Sequence, residues 1–155
     1  MSENTSLKDR ITDDMKAAMR ARESERLGAI RMLLAAIKQK EVDERVSVDD
    51  AAVIAIVERL IKQRKDSIEQ FGKAGRDDLV QKETAELQLL QGYLPQALGE
   101  ADLNQAIDAA VAEVAGGGAL APSAMGKVMA LLKPRLAGRA DMSKVSALVK
   151  ARIGA

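Results

Sequence analysis

Residues 47–80 read SVDDAAVIAIVERLIKQRKDSIEQFGKAGRDDLV, and the order of residue types here decides the fold class. Ser47, with Asp49 and Asp50 in the following turn, opens a helix: an oxygen meets the first unpaired N–H groups and the acids face the positive end of the dipole. Val53, Val57, Leu60, Ile61, Ile68 and Phe71 then recur at helical spacing and form one apolar face. Gly72 is the expected end. GKAGRDD supplies a glycine stop, a tight turn over residues 74–76 and a new acidic start, after which Leu79, Val80, Leu87, Leu90 and Leu94 continue to Pro95. Arg64 falls on the apolar face, where an unpaired charge is costly, so it is expected to snorkel or to meet a carboxylate.

Upstream the same period repeats. Ser6, three residues before Asp9, is read as an N-cap, and Leu7, Ile11, Met15, Ala18 and Met19 mark a first helix to about Arg22. Ser24 is read as the cap of a second, with Leu27, Ile30, Leu34 and Ile37 as its stripe and its end near Arg45; Gly28 inside it is read as the mark of a close helix crossing. Downstream, Pro95 breaks the pattern, because it restricts the residue before it to extended conformations. Beyond it the elements shorten. Leu103, Ile107, Val111 and Val114 define a helix stopped by Gly116–Gly118, and Met125, Val128, Met129 and Leu132 define the next, from near Pro122 or Ser123. A kink or turn is expected at Pro134, which lacks the N–H a continuing helix needs. Asp141 caps a last helix that packs Val145, Leu148, Val149 and Ile153. The expectation is an all-α chain, residues 1–95 forming an N-terminal four-helix part and residues 96–155 a small three-helix domain.

Composition removes several chemistries. The 155 residues include neither Cys nor His, so thiol nucleophiles, imidazole bases and ordinary zinc sites are excluded. Phe71 and Tyr93 are the only aromatic residues, too few for a base-stacking platform, so any nucleic-acid contact should go through phosphates. The acid pairs Asp13–Asp14, Asp49–Asp50 and Asp77–Asp78 point about 100° apart on a helix, which suits capping better than Mg²⁺. Ser143–Lys144 at a helix start reads as a cap region, and Gly116–Gly118 follows a helix and lacks a Walker ending, so it reads as a hinge. No catalytic residue, metal ligand or cofactor is assigned. The opening MSENTSLKDR lacks an apolar signal core and no run is long enough to span a bilayer, so the expectation is a cytoplasmic protein without a membrane partner.

Charge is distributed unevenly. Residues 124–155 carry seven cations and one acid, a net +6, while Gln96–Met125 carries four acids and no base. Lys127, Lys133, Arg135 and Arg139 surround the expected Pro134 turn, and Lys144, Lys150 and Arg152 lie on the last helix. An anionic partner for this end is one reading and a solvated face the other; for Lys150 and Arg152 the helix dipole is a sufficient reason. Lys62, Arg64 and Lys65 form a second basic group, explained in part by pairing with Glu58 and Glu69 four residues away.

The stretches DDMKAAMRARESERLGAIRMLLAAIKQKEVDER (13–45), KQRKDSIEQFGKAGRDDLVQKETAEL (62–87), YLPQAL (93–98) and MGKVMALLKPRLAGRADMSKVSALVKARI (125–153) resemble the GatB/YqeY family, in order and over nearly the whole chain. The resemblance implies a helical N-terminal part followed by a three-helix domain similar to the C-terminal tail of GatB, the subunit of a tRNA-dependent amidotransferase in which that tail helps hold tRNA. Stand-alone members are labelled amidotransferase-like, as carbon–nitrogen ligases with glutamine as amido-N-donor. Met125–Met129, Pro134 and Gly138–Asp141 fall on the tail motif; Ala124 stands where an acid is common and Met142 where Gly is common. The leading expectation is therefore a protein, not catalytic alone, that binds tRNA or other structured RNA through Lys127, Lys133, Arg135, Arg139, Lys144 and Lys150. The alternatives are a component of glutamine-dependent amide transfer and a module that docks on an amidotransferase or another protein.

Overall fold

The computed structural model describes residues 6–154. All regular structure among them is helical: α1 (Leu7–Arg20), α2 (Ser24–Glu44), α3 (Asp50–Lys73), α4 (Asp77–Gln91), α5 (Glu100–Ala115), a 3₁₀ turn (Pro122–Ala124), α6 (Met125–Leu136) and α7 (Met142–Ile153). The chain divides into two compact units, the first ending at Leu94 and the second beginning at Pro95.

In the first unit the local start and stop signals mostly act where they stand. The Ser6 hydroxyl accepts from the Asp9 N–H at 3.1 Å, which pins the first turn of α1. Helix α3 is capped by Asp49, which accepts from the Ala52 N–H at 2.8 Å, and not by Ser47; the carboxylate stands at the position the first turn can reach. Ser24 is likewise inside α2 rather than its cap. Glu23 takes the cap position without a side-chain bond to the backbone, and its carboxylate pairs with Arg26 at 3.2 Å. Gly28 marks no close crossing, since a Cβ there meets nothing within 4 Å. The turn between α3 and α4 does use a glycine for its backbone: Gly75 has φ +70°, a conformation costly for a residue with a Cβ.

Ile11, Ile30, Leu33, Ile37, Val53 and Val57 form the centre of the first core, each essentially inaccessible. Burying one such side chain contributes about 1.5–3 kcal/mol. Arg64 meets carboxylates as expected, with Glu83 at 2.9 Å and Glu86 at 3.5 Å. Helix α4 ends at Gln91, short of Leu94, and leaves Gly92 and Tyr93 in a turn that tucks the Tyr93 ring into this core.

The second unit has its own core of Leu103, Ile107, Ala110, Val128, Leu132, Leu136, Val145 and Val149. Gly116 ends α5 in the left-handed conformation at φ +56°, and Asp141 caps α7 by accepting from the Ser143 N–H at 2.9 Å. At Pro134 the chain does not turn out of the helix. Helix α6 runs through it to Leu136, which is fully buried. The proline sits in the last turn of α6, where it withholds a donor from the Ala130 carbonyl, and continuing the helix seats Leu136 in the core.

Candidate functional site

The second unit is built around three helices whose outer faces differ in charge. Helix α5 carries Glu100, Asp102, Asp108 and Glu113 and no base, whereas α6 and α7 carry the cations. Packing brings part of the two sets together. Arg135 of α6 pairs with Glu113 of α5 at 2.9 Å. Arg152 of α7 donates from Nε to Asp108 at 2.5 Å, from Nη2 to the Asn104 side chain at 3.0 Å and from Nη1 to its own helix at Leu148.

Arg139 serves the backbone. Its carbonyl accepts from the Leu98 N–H at 3.0 Å and its Nε donates to the Gln96 carbonyl at 3.3 Å, so the segment after Pro95 is fastened to the α6–α7 turn. Lys127, Lys133, Lys144 and Lys150 differ from these arginines. All four are exposed and, among the described residues, have no carboxylate within ion-pair distance.

These cations do not gather at one turn, because α6 continues through Pro134. Lys133 and Arg135, two residues apart, point about 200° apart around the helix. Arg135 takes the flank toward α5, which leaves Lys133 on the other. On α7, Lys144 and Lys150 point about 120° to either side of the buried Val145–Val149 stripe, by the same geometry. The arrangement is a set of separate lysines on the outer surface of α6 and α7. Such lysines can bind phosphates as point charges. No group of three or more carboxylates among the described residues is arranged to hold a metal ion.

In the first unit several polar side chains tie its own helices together. Lys8 donates to both oxygens of Glu41, at 2.7 and 2.9 Å, and Glu41 also accepts from the Val48 N–H at 3.3 Å. The Lys8 contact is the main reason the Glu41 carboxyl is held below the usual range. Asp50 accepts from the Leu7 N–H at 2.9 Å and so caps α1 from α3. Tyr93 donates to Asp14 at 2.7 Å beneath the Arg10 guanidinium, 5.2 Å from its ring centre. Burial first and the Asp14 bond second push the phenol well above the ordinary tyrosine range. The sequence reading assigned none of these pairs; a lone buried-type tyrosine before Pro95 was the one available signal.

A family model described as Yqey-like protein matches residues 8–153. A curated protein of Eremothecium gossypii named Altered inheritance of mitochondria protein 41, mitochondrial, is 47% identical over 85 residues, which are 54% of this chain and 46% of that protein. Its namesake in Pyrenophora tritici-repentis is 32% identical over 148 residues, 94% of this chain and 80% of that one. A third, from Lachancea thermotolerans, is 42% identical over 87 residues, 56% of this chain and 46% of its own length. The first and third matches thus span about half the length of those relatives. Their names overturn the expectation of a cytoplasmic protein. Lack of an apolar leader was the wrong test, because organelle import uses amphipathic, arginine- and serine-rich segments that have no apolar core.

Proposed function

The chain belongs to the YqeY-like family, and from that premise we propose that it binds tRNA or other structured RNA through phosphate contacts from the outer surface of α6 and α7. The observation that carries this reading is the state of Lys127, Lys133, Lys144 and Lys150: exposed, cationic and without carboxylate partners among the described residues, while the neighbouring arginines are engaged. Net positive charge left unneutralised on one surface attracts polyanions. The similarity of residues 125–153 to the tRNA-holding tail of GatB supports the choice of RNA, and the names of the curated relatives add a mitochondrial setting. In this reading the chain holds RNA and leaves any amide transfer to another protein.

The test is tRNA affinity against salt. Three or four lysine–phosphate contacts give a log–log slope of roughly −2 to −4. Lys133→Glu with Lys150→Glu is expected to flatten that slope, and Lys16→Glu with Lys65→Glu in the first unit is the control of equal charge change. Equal loss in both double variants reduces the effect to bulk charge, and absence of binding at low salt ends the proposal.

A further inference from the structure

A groove of about 430 Å³ runs between α2 and α4, with Glu25, Arg26 and Ala29 on one bank and Lys82, Ala85 and Leu89 on the other. Ala29 and Glu86 also border a separate small cavity that Met32 lines. Alanines at 29 and 85 keep the floor low, so a side chain from outside has room to enter between the helices. Met32 is 48% exposed, although α2 already packs against α1, α3 and α4. Helix α2 therefore carries more apolar circumference than its own unit covers, the pattern of a helix with a further neighbour.

The rim says what kind of neighbour. Arg26 is engaged by Glu23, and Glu86, at the edge of the groove, by Arg64. That leaves Glu25 on the α2 bank and Lys82 on the α4 bank, both exposed and without an ion-pair partner among the described residues. They are opposite in sign and stand on opposite banks. On a two-fold interface, residue i of one copy meets residue j of the other and the reverse. Such a pair of charges is then satisfied twice, whereas a helix with charges of one sign leaves one of the two unmatched. We propose that this groove docks on the same groove of a second copy, Glu25 of each copy pairing with Lys82 of the other and Ala29, Met32, Ala85 and Leu89 closing the centre.

Sedimentation of the full chain over rising concentration tests this. The wild type is expected to dimerise, and Glu25→Lys or Lys82→Glu alone to weaken dimerisation about tenfold or more, because each sets like charges together at both rims. An equimolar mixture of the two single variants is expected to recover the dimer as a heterodimer, since each variant supplies the sign the other has lost. Both positions are exposed, so the helical signal of each variant, and its unfolding midpoint at concentrations where the wild type is monomeric, should match the wild type. A wild type that stays monomeric at its highest soluble concentration would falsify the proposal. Association unchanged in both variants, or a mixture that fails to associate, overturns it equally.

Discussion

The two units of this chain differ in the size of their cores and in the balance of their charges. In the first, ionisable side chains tie together helices distant in sequence: Lys8 to Glu41, Asp14 to Tyr93, Arg64 to Glu83 and Glu86. In the second, Arg152 to Asp108 and Arg135 to Glu113 join helices in the same way on a smaller core, but four exposed lysines of α6 and α7 have no carboxylate partner among the described residues. Charges committed to the fold are poor candidates for a ligand, because recruiting them breaks contacts. Uncommitted ones can meet a polyanion without cost to the fold. Exposed lysines without an ion pair among the described residues occur in the first unit too, Lys16, Lys65 and Lys82 for example. What favours the second unit for a charged partner is therefore its local excess of seven cations over one acid in residues 124–155, carried on a small core that depends on few buried side chains.

The largest effect should come from that dependence. Leu132 is fully buried in the second core and Leu33 in the first. Either leucine-to-alanine change should cost about 2–5 kcal/mol. A unit of about 60 residues rarely holds more than ~3–5 kcal/mol in all. Leu132→Ala should therefore unfold the second unit while the first persists, whereas Leu33→Ala should weaken the first and leave it folded. Amide NMR spectra read the two outcomes separately. Dispersed signals retained from residues 95–154 in Leu132→Ala would remove the asymmetry.

A smaller effect separates the ion pairs. Arg64 is 15% exposed and faces Glu83 and Glu86, at 13% and 15%. Arg64→Ala strands two poorly hydrated carboxylates side by side, and a loss of ~1–3 kcal/mol is expected. Arg135 and Glu113, at 45% and 52% exposed, make a pair of similar length in high dielectric, so Arg135→Ala should change stability by less than ~0.5 kcal/mol. Denaturant midpoints of the two variants give the contrast. Equal shifts would mean that burial does not distinguish the units' ion pairs.

What the sequence revealed follows the range of each interaction. Helix periods, the Ser6 and Asp141 caps, the tight turn over residues 74–76 and the glycine stop at residue 116 involve residues within a turn of one another, and local spacing is enough to read them. Asp50 capping α1 and Tyr93 reaching Asp14 join residues 43 and 79 positions apart, which no local pattern encodes. Pro134 shows a local rule overridden: the proline opposes helix, but a buried Leu136 two residues on is reason enough to complete the turn. The basic residues were visible as a count. Their sorting into engaged arginines and partnerless lysines depends on where α5 packs, although an acidic helix next to a basic pair was a signal that some would be neutralised.

An effect of about one hydrogen bond, and the sharpest in its pH dependence, lies at Tyr93. Its hydroxyl donates to Asp14 at 2.7 Å in a buried setting, and Tyr93→Phe removes that bond at a cost of about 1 kcal/mol near neutrality. The folded-state pKa is raised, by burial first and by Asp14 second, because both disfavour a phenolate there. A raised pKa means that the folded state holds its proton more tightly than the unfolded one. The contribution is thus complete below the ordinary tyrosine value of about 10 and is lost as pH rises from there toward the folded value. The wild type should start more stable than Tyr93→Phe at neutral pH and lose that advantage in alkali, so the two stability curves converge. Lysine titration affects both proteins alike and cancels in their difference. Tyr93 is the only tyrosine in the chain, so phenolate absorbance reports its ionisation directly and should appear together with unfolding of the first unit. Curves that stay parallel through the alkaline range would show that the Tyr93–Asp14 bond is not part of what holds the first unit together.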